Sequence, residues 1–449
     1  MSKLMVSVSG IRGIVGETLT PEVIVTYTAA FATLIDGGKV VVARDSRPTG
    51  EMVQHLVAGT LLAAGCEVVS LGIVPTPTTE LMVSELNARG GIIITASHNP
   101  AEWNALKFLG GNGMFLPQER VNDLIRIAGG DDRKIVSWDR VGNEFTNSTA
   151  LDKHIDRLLS VPYVNVAAIR ARAFKVALDT NYGAAGPMGK LFLEKLGCRI
   201  VALGLEPTGR FAHACEPIPE NLTMLSTAVV EEQADIGFAI DPDGDRVAIV
   251  AENGVAIGEE YTLAIAVKEI LARNKGPVTL NLSTSQMSEQ IARTAGCTTF
   301  RTPVGEINVS SAMKANASVI GGEGNGGAIL PEVLYGRDAF TGMLLALQAL
   351  VGSGASVSEY IKAIPSFAMV KQKVALGDID AQRALARIEA ELSGDSVNRD
   401  DGLRIARQDE WVHMRKSNTE PIMRIIAEAP TQERLDALVK QVKDIVAGC

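Results

Sequence analysis

The sequence predicts an α/β protein of three similar domains, each with a mixed, mostly parallel sheet, plus a smaller C-terminal α+β domain, arranged around a central cleft. Three observations predict it. One unit occurs three times: a β-branched strand, a polar loop, a helix closed by Gly-Cys, and a second strand. Each copy then reaches a later apolar strand that ends in an unusual polar loop. The chain beyond about residue 366 breaks the repeat.

The first copy starts at VVVARDSRPTG (40–50), with a helical run over 56–64 before Gly65-Cys66. The second starts at VALDTNYGAAG (176–186), with a helix over 191–196 before Gly197-Cys198, and the third at VTLNLSTSQ (278–286), with a helix over 291–295 before Gly296-Cys297. Glycine just past a helix end suits the left-handed residue that closes it. The cysteine after it reads as a small apolar residue entering a strand. The later strands are GGIIITASHNP, ADIGFAIDPDGDR and ASVIGGEGNGG. Ligands of parallel α/β sheets sit beyond the carboxyl ends of the strands, so three domains facing one another would line one cleft with three different loops. The expected domains are 1–140, 149–252, 253–365 and 366–449. The polar, aperiodic stretch 129–148 reads as a linker, and the last domain carries helices over 380–392 and 432–446.

Composition sets outer limits. The chain has 449 residues, and at ~100–200 residues per domain this allows several cores. The net charge of −9, with no basic stripe, argues against nucleic acid. Five scattered cysteines with no CxxC give neither a disulfide framework nor a zinc pattern. No run approaches the ~18 apolar residues of a membrane span, and MSKLMVSVSG lacks a signal peptide's apolar core. A soluble, reduced, cytoplasmic protein with no membrane partner is expected, its oligomeric state open.

The loops carry chemistry. Asp241, Asp243 and Asp245 in DPDGDR alternate, and hard oxygen ligands at that density suit Mg²⁺ or Ca²⁺. An EF-hand is rejected, because Arg246 stands where its glycine is needed and VAIV continues as a strand. A polar turn is the bland alternative. Ser97 in TASHNP is either a cap-and-turn residue or a nucleophile presented at a strand end. No GxSxG elbow or acylation triad accompanies it, and a serine facing a divalent cation fits phosphoryl transfer better. GEGNGG (322–327) matches GxGxxG, yet Pro331 speaks against the helix a dinucleotide loop must open. Its Glu323 and Asn325 could grip sugar hydroxyls instead. Arg415, Ser417, Asn418 and Thr419 in RKSNTEP (415–421) offer donors for a phosphate dianion. Arg12 in GIRG and the arginines of ARDSR lie near strand ends and say little alone.

Together these strings make the chain resemble the α-D-phosphohexomutases: TASHNP, DPDGDR, GEGNGG and RKSNTEP occur in that family's order over nearly the whole chain, with GIRG, ARDSRPTG, PIPENL and GRDA in support. The resemblance implies that Ser97 carries a phosphoryl group and, with Asp241, Asp243 and Asp245, faces Mg²⁺. Arg246 would steady the phosphoserine. Glu323 and Asn325 would contact the sugar, and Arg415, Ser417, Asn418 and Thr419 the idle phosphate. Lys107, Arg12 and His98 are the catalytic candidates for proton handling and charge stabilisation. The implied reaction moves a phosphoryl group between O6 and O1 of a hexose through a 1,6-bisphosphate, most consistent with glucosamine phosphate, with glucose or mannose phosphate as the alternative. Three departures bear on the sugar: Gly327 replaces a common histidine, Asn325 a serine, and Glu306 sits where relatives often place another polar or basic residue. Ala105 replaces the glycine before Lys107. A non-catalytic sugar-phosphate binder or a dinucleotide enzyme is the reading from another class, and the intact serine and triaspartate loop argues against it.

Overall fold

In this computed structural model the described residues are 4–375, 380–392, 394–416 and 422–448. Three sheets share one wiring. In the first, the order Trp103–Gly110, Gly90–Ile94, Lys39–Arg44, Glu67–Ile73 forms the centre. The second runs Val247–Ala251, Ile236–Ile240, Lys175–Asp179, Arg199–Leu203, and the third Gly327–Ile329, Ile320–Glu323, Val278–Asn281, Thr299–Thr302. In each, the last three strands pair in parallel and the first returns antiparallel. The predicted triplication is thus a repeated topology, mixed and mostly parallel. Its three polar loops are one structural feature, the connection between the later parallel strand and its antiparallel return.

The Gly-Cys signals are explained locally. Gly65, Gly197 and Gly296 all have φ between +72° and +78°, the left-handed conformation that closes a helix cheaply only without a Cβ. Cys66 is buried, whereas Cys198 and Cys297 are half-buried against the core. The GEGNGG loop opens a strand, Gly327–Ile329, and no helix, which removes the dinucleotide reading.

The stretch 129–148 departs from the linker expectation. Glu144–Thr146 pairs in parallel with Glu67–Ile73 as an edge strand of the first sheet. At the opposite edge, Gly10–Ile14 pairs with Trp103–Gly110 and Met5–Ser7 with Gly10–Ile14, completing seven strands.

The fourth sheet is antiparallel throughout, ordered Ala368–Ala375, Ile422–Ala429, Glu410–Lys416, Leu403–Arg407, Ser396–Asn398. Helices Ala381–Glu391 and Gln432–Ala447 cover it and bury Ala384, Ile388, Leu435 and Val442 against Val412 and Ile425.

The second and third domains share one apolar core. Helix Ala339–Ser353 is buried over most of its length and lies in the same cluster as Phe192, Phe238, Leu263 and Leu280. Close packing of that kind transmits position, so the DPDGDR loop and the glycine-rich loop are held as one rigid pair. Among the described residues no single helix is long and apolar enough to cross a membrane.

Candidate active site

Ser97 sits in the turn between Gly90–Ile94 and Trp103–Gly110, with φ +51°, a conformation non-glycine residues rarely adopt. A buried ladder holds it there. The Ser97 amide donates to Thr95 Oγ1 (2.9 Å), which donates to Asp45 Oδ2 (2.6 Å). Arg47 is fully buried and pairs with the same Asp45 oxygen at 3.0 Å. Its guanidinium donates to the carbonyls of Ser97 and Asn99 (both 2.6 Å) and of Trp103 (2.9 Å). One arginine thereby gathers the serine loop. The second domain presses on this clamp: a Cβ on Gly209 (φ +67°) would lie 2.2 Å from the Ser46 carbonyl oxygen, and the Phe211 ring lies 5.2 Å from Arg47 Cζ. ARDSR was the only sequence signal for Asp45 and Arg47, and nothing in it revealed what they hold.

Thr95→Val removes both side-chain hydrogen bonds of this ladder while keeping the shape. We expect kcat to fall about 10–100-fold with KM little changed, the signature of a misplaced reacting atom. Steady-state kinetics check it, and a raised KM at unchanged kcat would contradict the positioning role.

The turn joining Ile236–Ile240 to Val247–Ala251 brings the aspartates to Ser97 across 144 residues of sequence. Ser97 Oγ donates to Asp241 Oδ2 (3.1 Å) and accepts from Arg246 Nη2 (3.2 Å). Arg246 also grips Asp241 Oδ2 through Nε (3.1 Å) and Nη2 (2.9 Å). Lys107 Nζ lies 2.7 Å from Asp243 Oδ2, which also accepts from Thr76 Oγ1 (2.9 Å). Arg12 Nη1 donates to Asn99 Oδ1 (2.5 Å), and His98 Nδ1 lies 3.4 Å from Ser97 Oγ.

The three aspartates are buried, and one carboxylate oxygen from each lies within 4.8 Å of the others. Asp243 Oδ1 and Asp245 Oδ1 have no hydrogen-bond partner. Buried carboxylate oxygens without a hydrogen-bond donor are costly, and a cluster that holds two of them suits a hard divalent cation, with Arg246 Nε 3.4 Å from Asp245 Oδ1 as the nearest competing charge. The electrostatics agree. Burial, then the charge of Asp245, pushes the Asp241 carboxyl well above its ordinary range. Burial acts the same way on Asp243 and is its largest single influence, but Lys107, Arg246 and the contact with Asp241 together hold that group below the ordinary range. The Arg246 charge, then desolvation and Arg12, lowers the His98 pKa and keeps the imidazole neutral.

Arg337, from the GRDA string, was not singled out by sequence reasoning and proves central. It binds Asp245 Oδ2, Glu306 Oε2 (3.0 Å) and Glu323 Oε2 (2.6 Å). Glu323 spends its other oxygen on Asn281 Nδ2 (2.7 Å) and the Gly305 amide (2.9 Å). Its carboxylate therefore faces inward in this conformation and reaches the aspartates only through Arg337. Glu306 neighbours Glu80, and burial pushes both carboxyls up, Glu306 to about 7 and Glu80 well above its ordinary range.

A cleft of about 350 Å³ adjoins these loops, lined by Arg246, Gly324, Asn325, Lys371, Arg415 and Arg424 among others. Asn325 Oδ1 has no hydrogen-bond partner. Arg415 Nη1 lies 3.1 Å from Asp401 Oδ2. Ser417, Asn418 and Thr419 lie outside the described residues. The structure thus gathers Ser97, His98, Arg12, Lys107, Asp241, Asp243, Asp245 and Arg246, and lines the adjoining cleft with Asn325 and Arg415.

A serine hydroxyl thus lies between an arginine and three buried carboxylates, beside a cleft lined by lysine and arginine. Comparison with known proteins gives the family. The family models for phosphoglucomutase/phosphomannomutase match in order: alpha/beta/alpha domain I over 3–133, domain II over 152–254, domain III over 258–367 and the C-terminal domain over 369–445. A probable phosphoglucosamine mutase of Methanopyrus kandleri is 35% identical, covering 98% of this chain and 97% of that protein. A phosphoglucomutase/phosphomannomutase of Thermococcus kodakarensis is also 35% identical, covering 98% of each. Among solved structures, a phosphoglucomutase/phosphomannomutase family protein of Burkholderia thailandensis superposes with a TM-score of 0.87 at 25% identity, covering 98% of this chain and 96% of that one. A putative phosphomannomutase of Thermus thermophilus gives 0.85 at 25% identity over 100% of both. The chain belongs to the phosphoglucomutase/phosphomannomutase family of phosphohexomutases, and it is an enzyme.

Proposed function

We propose that the enzyme interconverts glucosamine 6-phosphate and glucosamine 1-phosphate through a phosphoserine at Ser97. The observation that carries the phosphoserine is the placement of Ser97 Oγ, 3.1 Å from Asp241 and 3.2 Å from Arg246. Phospho-Ser97 gives its phosphoryl group to the free hydroxyl of a sugar monophosphate. The P–O bond to Ser97 Oγ breaks, a P–O bond to the sugar oxygen forms, and the hydroxyl proton passes to a base at the site; His98 is disfavoured for this, since Arg246 and Arg12 oppose a proton on its ring. The resulting 1,6-bisphosphate turns round in the cleft, and Ser97 Oγ takes the other phosphoryl group back. Arg246, Lys107 and Arg12 stabilise the charge that moves, in a geometry set before the reaction. Asp241, Asp243, Asp245 and Ser97 Oγ would hold Mg²⁺, which when bound supplies neutralising charge for the transferring group. Asn325 would meet the sugar. Glu323 would reach it only after release from Arg337. Arg415, with Ser417, Asn418 and Thr419, would hold the idle phosphate.

The choice of glucosamine rests on the relatives named probable phosphoglucosamine mutase. The equally identical Thermococcus kodakarensis relative, named phosphoglucomutase/phosphomannomutase, favours a second reading with glucose or mannose phosphate and the same chemistry. Comparing kcat/KM on the three hexose 6-phosphates, with Mg²⁺ and a catalytic amount of bisphosphate, separates the readings. Preference for the glucosamine ester supports the first; equal or better rates on the others replace it with the second. Thorough chelation should abolish turnover and Mg²⁺ should restore it; undiminished turnover would remove the metal from the mechanism. Four described cysteines are unpaired, which suits the reducing cytoplasm we assign.

A further inference from the structure

The three repeats share one polar turn, and the second copy uses it differently. Asp45, Asp179 and Asn281 stand where the first parallel strand of each repeat ends. Each accepts, through Oδ1, the amide two residues on at 2.9 Å. In the first and third copies the other side-chain atom reaches the end of the later strand, at Thr95 and Glu323. In the second copy it goes to His213 instead: Asp179 Oδ2 lies 3.0 Å from Nε2.

His213 belongs to a strap, residues 204–216, that crosses from the second domain onto the first. The turn after Asp179 grips it. Asn181 Oδ1 accepts from the Ala212 amide (2.7 Å) and the His213 amide (3.3 Å), and Asn181 Nδ2 donates to the His213 carbonyl (3.0 Å). The Gly209 amide donates to the Tyr182 carbonyl (3.0 Å). Asn181 and Tyr182 have φ of +47° and +57°, and such strain persists only where the surroundings over-determine the position. The strap's far side touches both arginines that hold Ser97. Gly209 approaches the Ser46 carbonyl too closely for a Cβ, the Phe211 ring lies 5.2 Å from Arg47 Cζ, and Glu216 Oε1 lies 3.8 Å from Arg246 Nη1. His213 stands between Phe211 and Glu216 along the strap.

The ring's second nitrogen sets its charge. His213 Nδ1 lies 2.9 Å from the Ala214 carbonyl oxygen. A carboxylate and a carbonyl only accept, so both ring nitrogens donate and the ring is an imidazolium. We propose that the His213 imidazolium is a positioning residue: it anchors the strap that seats Arg47 and Arg246 on Ser97, and loss of its proton loosens that seat. The inference rests on Ser97 as the phosphoryl carrier and adds a residue from outside the site's loops. The Asp179 hydrogen bond raises the His213 pKa; burial opposes it, and the Asp179 charge and the Ala214 carbonyl add to it. Among the described residues Asp179 is the charged group acting on the ring. With the pKa raised, the anchor is complete below it and loses one of two bonds as the pH rises through it.

The test compares the native chain with His213→Gln and Asp179→Asn by kcat against pH and by hydrogen exchange. The native kcat should fall on an alkaline limb with its inflection above the ordinary imidazole value of about 6.5. His213→Gln should lack that limb and run about 3–10-fold lower below it, with KM within about twofold of native, as for a misplaced reacting group. Asp179→Asn keeps the turn's acceptor, as Asn281 does in the third copy, and removes the charge, so the limb should move to lower pH. Exchange needs no turnover. At one pH it should be faster in His213→Gln over 204–216 and over the serine loop 95–103, and equal over helix Gln432–Ala447. Identical pH profiles in native and His213→Gln overturn the proposal, as does a limb that Asp179→Asn leaves in place or unchanged exchange over 95–103. Faster exchange over the whole chain would make His213 a general stability residue and overturn it too. A native chain inactive on every hexose phosphate would instead strike the functional reading, and the exchange comparison would still decide whether His213 governs the serine loop.

Discussion

Ser97→Ala abolishes turnover, with kcat falling at least about 10⁴-fold, because among the described residues no other hydroxyl stands between Asp241 and Arg246 to carry the phosphoryl group. The fold survives the change. Asp241 Oδ2 keeps two donors from Arg246, so the lost hydroxyl contact costs about 1 kcal/mol or less. The backbone of residue 97 is held by the Thr95 hydroxyl and Arg47, and neither contact involves Ser97 Oγ. The variant should therefore melt close to the native chain, bind sugar phosphate, and lack the mass increment of one phosphoryl group after incubation with bisphosphate. Retained turnover, or a phosphoryl increment on the alanine variant, would remove Ser97 from the centre of the reaction.

Asp243→Asn should damage chemistry and stability together, for separable reasons. Asp243 offers one unsatisfied oxygen to the acidic cluster and spends the other on Lys107. Loss of a partner that merely supports a metal ligand typically weakens binding ~10–100-fold, so loss of a ligand should exceed that range and lower kcat accordingly. The same change leaves the buried Lys107 ammonium without its carboxylate, and breaking half of a buried pair costs about 3–5 kcal/mol. The exposed pair Arg126–Asp123, with side chains 72% and 40% accessible, sets the contrast: its loss should cost about 1 kcal/mol or less. Thermal melting, divalent-cation titration and kinetics on Asp243→Asn and on the double variant Lys107→Met/Asp243→Asn divide the two effects. The double variant should regain stability and remain inactive. Full Mg²⁺-dependent turnover in Asp243→Asn would refute the ligand assignment.

The network around Arg337 explains how the third domain reaches the centre. Arg337 ties Asp245 of the second domain to Glu306 and Glu323 of the third, and Glu80 of the first abuts Glu306. Burying so many carboxylates beside one guanidinium disfavours their charged forms, and both Glu80 and Glu306 are pushed up accordingly. The Gly327 departure sits against the same side chain: a Cβ there would lie 2.3 Å from Arg337 Cδ, so a larger residue could not stand at 327 without displacing Arg337.

What the sequence determined by itself is local. The Gly-Cys helix ends were legible because a left-handed closing residue is a property of one residue and its neighbours. Ser97 and the three aspartates were legible because each loop is a short turn after a strand, where polar residues with no local structural task stand out. The parallel strands showed as apolar runs, since both faces of such strands are covered. The edge strand Glu144–Thr146 was not legible: it is polar and three residues long, and it exists through backbone hydrogen bonding to a strand more than seventy residues earlier, with Val68 N donating to the Asn143 carbonyl. The tertiary structure alone decided that Arg47 clamps the serine loop, that Thr76 and Lys107 meet Asp243 across 167 and 136 residues, and that Arg337 meets Asp245 across 92. It also decided that Glu323 faces inward. A lone arginine or glutamate has the same propensity on a surface as in a core. Its task is set by which charge the packing of the three repeats brings opposite it, and no local pattern records that.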